Sequence, residues 1–132
     1  MPYILVVEDD VDARGILVLA LQDAGFKTLG AANGLEALNF ICDPKRTTRP
    51  YLILLDLNMP VMNGRQLINV FERCDKMSQI PLVITSAEDD IPEGYRFLKK
   101  PLSIRDVIEI AHQAHALAPV KQRTPTLKEE GG

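Results

Sequence analysis

Short apolar runs alternate along the chain with longer stretches in which apolar residues recur every three or four positions. The short runs predict β-strands, and they lie at 3–7, 26–31, 52–55, 82–85 and 96–98. The longer stretches predict helices, and they lie at 13–24, 34–41, 65–74 and 104–115. Runs 3–7 and 52–55 are almost entirely apolar, which is typical of strands buried on both faces of a parallel sheet.

Residues at the ends of these stretches support the predicted boundaries. Gly25 stands where a residue of left-handed conformation would end the first helix. Asn33 with Glu36, and Ser103 with Asp106, resemble the capping pairs that open helices. Strands that alternate with helices predict a doubly wound α/β fold, in which a five-stranded parallel sheet carries helices on both faces.

Polar residues that could bind ligands or react follow the predicted strands, at the carboxyl edge where parallel sheets bind ligands. They are Glu8, Asp9, Asp10, Asp56, Ser86 and Lys100. Several carboxylates in one cleft repel one another unless one is protonated or a cation is bound. Oxygen ligands without a Cys or His cluster favour Mg2+, with Mn2+ as the alternative. A free carboxylate beside that ion, with a lysine and a hydroxyl opposite, has the parts needed for phosphoryl transfer.

Composition and charge narrow the class of protein. The 132 residues, of which 46% are hydrophobic, suffice for one core. A net charge of −3 provides no basic field for nucleic acid, so DNA binding is not expected. The apolar runs are far shorter than the ~20 residues of a membrane span, and the N-terminus does not resemble a signal peptide. We therefore expect a cytoplasmic protein without membrane contact, ending in a flexible tail at residues 119–132.

Four stretches together resemble the signature blocks of response-regulator receiver domains. They are Ile4–Asp10, Leu54–Gly64, Pro81–Ala87 and Phe97–Pro101. Each lies at the end of a predicted strand, and they follow one another in the family's order. The resemblance covers about residues 3–118. It implies a receiver domain over residues 1–118 with a flavodoxin-like sheet of strand order 2-1-3-4-5.

Carried over position by position, the resemblance implies a role for each matching residue. Asp56 would be the phosphoacceptor. Glu8, Asp9 and Asp56, with the backbone carbonyl of Asn58, would hold Mg2+. Lys100 would pair with the phosphoryl group.

The resemblance also implies switch and tuning residues. Ser86 matches the switch hydroxyl better than Thr85 does, because one step along a strand reverses the face to which a side chain points. Phe97 matches the aromatic switch position. Asn58 and Glu88 match the two positions that tune how fast the phosphoryl group is lost.

Simpler structural roles compete with these assignments at several positions. Asp10 suits a helix N-cap as well as a third metal ligand. Asn58, Asn63 and Gly64 could be turn formers alone. Phe97 could be plain packing at the edge of the sheet.

The resemblance predicts a stand-alone receiver that accepts a phosphoryl group from a histidine kinase or phosphotransfer protein and switches a protein-interaction surface. Such a chain catalyses only its own phosphorylation and dephosphorylation. The alternative is a small Mg2+-dependent phosphatase or phosphotransferase with an aspartate nucleophile. Enzymes of the haloacid-dehalogenase kind usually carry that nucleophile after the first strand, with a second aspartate two residues on. Here Asp56 follows the third predicted strand, and Asn58 stands two residues on.

The segment between Ser86 and Lys100 is shorter than the family's usual one. Residues 87–96 are acidic, contain Pro92 and Gly94, and lack an apolar stripe. We therefore expect no full helix there, so the family's usual fourth helix would be missing or truncated. In many relatives that helix helps form the partner or dimer face, so we also expect this chain to signal through another face.

Overall fold

The computed structural model describes residues 2–46 and 48–117. Its five strands are β1 (Tyr3–Val7), β2 (Thr28–Ala31), β3 (Pro50–Asp56), β4 (Leu82–Ser86) and β5 (Arg96–Lys99). Its helices are α1 (Val11–Asp23), α2 (Gly34–Cys42), α3 (Gly64–Glu72) and α4 (Ile104–Leu117), with a short 3-10 helix at Met77–Gln79. Residue 118 and the predicted tail at 119–132 lie outside the described residues.

The strands form one parallel sheet of order β2-β1-β3-β4-β5, which confirms the predicted fold class and strand order. Val7 at the end of β1 pairs with Ala31 on one side and Leu55 on the other. Asp56, the next residue of β3, pairs with Thr85 of β4. Because the registers keep the strand ends level, the residues that follow β1 and β3 share one edge of the sheet.

Helices cover both faces of the sheet, and each face has its own apolar core. On one face, odd-numbered β1 residues such as Leu5 pack with Ile41 of α2 and Phe71 of α3. On the other, even-numbered residues such as Val6 pack with Leu21 of α1 and Ile110 of α4. This alternation explains why β1 and residues 51–55 of β3 are apolar on both faces. Within the described residues, none of the helices has the length and apolar character needed to cross a membrane.

Two element boundaries differ from the sequence prediction. β2 begins at Thr28 rather than at residue 26, because the Phe26 amide donates to the Leu21 carbonyl and so belongs to the turn that closes α1. Gly25 in that turn has a φ of +99°, as its predicted left-handed role requires. β3 begins at Pro50 rather than at residue 52, and it ends at Asp56 as predicted.

Helix α1 carries apolar residues on its exposed side. Ile16 is 59% exposed, Val11 is 69% exposed and Leu19 is 62% exposed. Only Leu17 and Leu21 of this helix are buried. Apolar residues occur all around α1, so their spacing could not identify the face that packs against the sheet.

The predicted caps form in different degrees. The Asn33 side chain accepts from the Glu36 amide at 2.9 Å, but the Glu36 carboxylate accepts from the Ala32 amide at 2.7 Å rather than from that of Asn33. A complete capping box instead opens α3 with Asn63 and Gln66. The predicted bond between Ser103 and the Asp106 amide is long, at 3.4 Å.

No helix occurs between β4 and β5 in the described structure, which confirms the predicted truncation. The connecting loop is tied to α3 twice. Arg65 donates to the Asp90 carbonyl, and the Tyr95 hydroxyl donates to Glu72 at 2.6 Å. The loop also contributes Ile91, which packs with Tyr95 against the core that lies under α2 and α3.

Candidate functional site

Three acidic side chains meet at the carboxyl edge of the sheet. Glu8 and Asp9 follow β1 directly, and Asp56 ends β3. One carboxylate oxygen from each lies within 4.8 Å of the other two. Glu8 and Asp56 are buried, whereas Asp9 is exposed to solvent. The cluster is therefore open to solvent at Asp9, where a ligand could enter.

Lys100 connects this cluster to strands β4 and β5. Its Nζ lies 2.9 Å from Glu8 Oε1 and 3.5 Å from Asp56 Oδ2. Its backbone amide donates to the Ser86 carbonyl at 2.8 Å, just beyond the paired part of β4 and β5. The Lys100–Pro101 peptide bond is cis. These distances place Lys100 beside the acids, and its pairing with a phosphoryl group stays a prediction.

Burial, and after it the neighbouring charge of Glu8, raise the pKa of Asp56 from its ordinary value of 3.8 to about 6. Lys100 and the amide of Asn58 oppose this rise but do not cancel it. Burial lowers the pKa of Lys100, but its hydrogen bond to Glu8 and the charges of Asp56 and Glu8 outweigh that effect, so the net pKa is raised. Lys100 is thus held in its charged form beside Asp56, a carboxylate that is costly to ionise.

The turn after Asp56 fixes the position of this carboxylate. The Asn58 amide donates to Asp56 Oδ1 at 3.3 Å, and the Gly64 amide donates to the Leu57 carbonyl at 2.9 Å. A Cβ atom at Gly64 would lie only 2.5 Å from the Asp56 carbonyl oxygen. Gly64 is therefore more than a turn former, because it lets the start of α3 approach the Asp56 backbone closely. Its sequence signal was the Asn63-Gly64 pair alone, which does not indicate a close approach.

Asp10 acts as the N-cap of α1. Its Oδ1 accepts from the amides of Asp12 at 2.9 Å and Ala13 at 3.3 Å. Among the described residues, the group that could hold an ion consists of Glu8, Asp9 and Asp56. The structure therefore favours the cap over the third-ligand role for Asp10.

Three of the predicted switch and tuning residues, Ser86, Asn58 and Glu88, are joined by hydrogen bonds. Ser86 is fully buried, and its Oγ accepts from the Glu88 amide at 3.0 Å. The Asn58 side chain donates to the Glu88 carboxylate at 3.3 Å. Phe97 is half-buried and packs against the core on the α2 and α3 face. This packing is what its simpler edge role requires, and its switch role stays a prediction.

A cavity of about 570 Å³ opens above the acidic cluster. Asp9, Asp56 and Lys100 line its polar part. Ile16, Leu102 and Ile104 line the apolar part. The space exceeds what a hydrated ion needs.

The residues of this cluster suit a hard divalent cation. All three side chains offer carboxylate oxygen, the ligand type that Mg2+ prefers, and one of them is open to water. Two buried carboxylates that face each other are also costly without added positive charge, as the raised pKa of Asp56 indicates. Lys100 supplies one positive charge, and a bound cation would supply the remainder.

Comparison with known proteins agrees with this geometry. The sequence model described as "Response regulator receiver domain" matches residues 4–112. The chain therefore belongs to the response-regulator receiver family. Transcriptional regulatory protein PrrA from Mycobacterium leprae is 34% identical over 92 residues, which cover 70% of this chain and 37% of PrrA. DNA-binding response regulator MtrA from Mycobacterium tuberculosis is 39% identical over 87 residues, which cover 66% of this chain and 35% of MtrA.

Solved structures show the same fold. The chemotaxis response regulator CheY4 of Vibrio cholerae has a TM-score of 0.73 at 27% identity, with 86% of this chain and 98% of CheY4 covered. The receiver domain of a signal transduction histidine kinase from Syntrophus aciditrophicus has a TM-score of 0.77 at 27% identity, with 98% of both chains covered. The chain spans little more than a third of the curated relatives that it matches, so stand-alone action stays a prediction.

Proposed function

We propose that this chain accepts a phosphoryl group on Asp56 in a Mg2+-dependent reaction, and that a histidine kinase or phosphotransfer protein is the donor. The observation that carries the proposal is the cluster itself. Asp56 lies within 4.8 Å of two further carboxylates and 3.5 Å from Lys100, beneath an open cavity. Receiver-family membership supports phosphoacceptor signalling as the role of such a site.

The proposed transfer moves one phosphoryl group between two nucleophiles. A carboxylate oxygen of Asp56 forms a bond to phosphorus as the bond from phosphorus to the donor's imidazole nitrogen breaks. The imidazole keeps the electron pair and is protonated on leaving. Lys100, at 3.5 Å from Asp56 in this structure, neutralises charge on the phosphoryl oxygens. Mg2+ held by Glu8, Asp9, Asp56 and the Asn58 carbonyl would neutralise the remaining charge and orient the group.

The neighbouring residues have proposed roles in signalling and in loss of the phosphoryl group. The Ser86 hydroxyl now accepts a hydrogen bond from the Glu88 amide. On phosphorylation it would turn to a phosphoryl oxygen and release that amide. Phe97 would move with Ser86 as the aromatic switch. Asn58 and Glu88, hydrogen-bonded to each other at 3.3 Å, would control the approach of the water that hydrolyses the phosphoaspartate. The result would be a changed protein-interaction surface.

The alternative of a metabolite phosphatase has less support. It would share the metal and the phosphoaspartate, but it places the nucleophile after the first strand of the sheet. Here Asp56 ends β3, and Asn58 occupies the position of the second aspartate. Family membership also favours a signalling domain over an enzyme.

We further propose a cytoplasmic location and no DNA contact by the described domain, although the relative MtrA is named as DNA-binding.

The test is phosphorylation by acetyl phosphate with Mg2+ or with EDTA, followed by mass spectrometry of the modified peptide. We expect modification of Asp56 that requires Mg2+ and is lost in Asp56→Asn. Asp10→Asn is the matched control, because asparagine still caps a helix. It should be phosphorylated like the wild type. Modification at another residue, or at Asp56 in EDTA at the same rate, would overturn the assignment.

Metal binding is tested separately by calorimetric titration with MgCl2. Asp9→Ala should bind Mg2+ at least ten-fold more weakly than the wild type, because the ion loses one of its carboxylate ligands. Asp12→Ala, which removes an exposed acid of the same turn, should change the affinity much less. Equal affinity in Asp9→Ala and the wild type would remove Asp9 from the site.

A further inference from the structure

Arg14 of α1 binds the backbone of the two acids that follow β1. Its Nη1 donates to the Glu8 carbonyl at 2.7 Å and makes a longer contact with the Asp9 carbonyl at 3.5 Å. The guanidinium therefore spans the turn between β1 and α1 from the side. The sequence did not predict this contact, because the helix that contains Arg14 was predicted from the spacing of its apolar residues alone.

The choice of partner is informative, since acidic side chains surround Arg14 in the sequence. Glu8, Asp9, Asp10 and Asp12 all lie within six residues of it. Among the ion pairs found in the described residues, none involves Arg14. Arg14 thus holds the main chain of the turn and does not pair with the carboxylates of Glu8 and Asp9.

A glycine in the neighbouring strand makes room for this arginine. Gly30 of β2 pairs with Val6 of β1, and the aliphatic stem of Arg14 lies above it. A Cβ atom at residue 30 would lie 3.1 Å from both Cγ and Cδ of Arg14, which is closer than ordinary packing allows. Gly30 therefore leaves room for the stem along the path by which the guanidinium reaches the Glu8 carbonyl.

We propose that Arg14, seated over Gly30, is a positioning residue for the cation site, holding the Glu8 and Asp9 backbone where their carboxylates can share an ion with Asp56. This inference rests on the proposed Mg2+-dependent function. Groups that orient metal ligands without touching the metal typically change affinity ten- to a hundred-fold when removed. A purely electrostatic role has the opposite sign, because a positive charge near the site repels a cation and its removal would strengthen binding.

The test is calorimetric titration of folded protein with MgCl2, with no phosphoryl donor present. Arg14→Met keeps the stem and removes every donor, so Mg2+ binding should weaken at least ten-fold. Arg14→Lys keeps the charge and one donor group, so the loss should be smaller. The matched control is Gln22→Met, because Gln22 lies on the same helix and donates to the Thr28 carbonyl at 3.2 Å, away from the acids. It should leave the Mg2+ affinity unchanged.

Gly30→Ala provides a second route that alters no charge. It should also weaken Mg2+ binding, by displacing the Arg14 stem. In an Arg14→Met background, Gly30→Ala should weaken binding less than in the wild type, since the guanidinium that it misplaces is gone. If Arg14→Met proves unfolded by circular dichroism in EDTA, Arg14→Lys and Gly30→Ala still decide the matter.

The outcomes separate this inference from the proposed function. A wild type that binds no Mg2+ overturns both. A wild type that binds Mg2+, with equal affinity in Arg14→Met, Arg14→Lys and Gly30→Ala, overturns only the positioning role. Tighter binding in Arg14→Met would also overturn it, because it would show that Arg14 acts through its charge. Weaker binding in Arg14→Met and Gly30→Ala, with Gln22→Met unchanged, supports the inference.

Discussion

Replacing Asp56 by asparagine should stabilise the metal-free protein at neutral pH. Burial is the main reason that the pKa of this carboxyl rises from 3.8 to about 6, with the charge of Glu8 as the second. The raised pKa means that Asp56 contributes most to stability when protonated. Its contribution is fully present below the unfolded-state pKa of 3.8 and is lost as the pH rises through about 6.

The size of the effect follows from the same two values. One pH unit corresponds to about 1.4 kcal/mol, so the ionised Asp56 side chain costs about 3 kcal/mol at pH 7. Asparagine has nearly the same shape and carries no charge. The cost of about 3 kcal/mol already includes the opposing effect of the 3.5 Å ion pair with Lys100. We therefore expect Asp56→Asn to raise the free energy of unfolding by about 1–3 kcal/mol at pH 7.

Urea unfolding in EDTA from pH 4 to pH 8 measures this difference. The gap between Asp56→Asn and the wild type should be largest near pH 7 and should close as the pH falls toward 4. Asp9→Asn is the matched control. Because Asp9 is exposed and solvated, its replacement should change stability by less than about 1 kcal/mol. An Asp56→Asn protein no more stable than the wild type at pH 7, or a gap that does not vary with pH, would refute the reasoning.

Four further predictions follow from the same contacts. Gly64→Ala should destabilise the fold by ~2 kcal/mol or more, because the new Cβ would meet the Asp56 backbone. Gly15→Ala should stabilise the fold by about 0.5–1 kcal/mol, because its new Cβ would meet no atom within 4 Å. Urea unfolding of the two variants measures both changes. Replacing Asn58 and Glu88 together by apolar residues should change the lifetime of the phosphoprotein, and an unchanged decay rate would exclude them from the path of the water. Tyrosinate absorbance should stay low at pH 11 in the folded protein and rise on unfolding. The reason is that burial raises the pKa of Tyr51 and Tyr95 to about 12 and that of Tyr3 above its ordinary value. The stability that these raised pKa values contribute is present below pH 10 and is lost as the pH rises through about 12. Scattering with a beryllofluoride mimic should show no dimer formed through the face where the missing helix would lie, and such a dimer would contradict the expectation that another face signals.

Local patterns in the sequence were sufficient for the fold class and for the composition of the site. A strand buried on both faces must be apolar throughout, so β1 and β3 were visible as unbroken runs. Because parallel strands present their carboxyl ends at one edge, the acids after them could be predicted to meet. The absence of a helix at residues 87–95 was also local information, since proline, glycine and clustered acids oppose a helix whatever surrounds them.

Contacts between distant elements could not be derived from those patterns. The face of α1 that packs inward is set by the sheet and α4, because the helix is apolar all around and its spacing does not distinguish Leu17 from the exposed Ile16. Whether Asp10 caps a helix or faces the acids depends on the path of the turn after β1. Strand register and helix position are fixed by packing of the whole chain. They determine the distance between Lys100 and Glu8 and the position of Arg14 above Gly30.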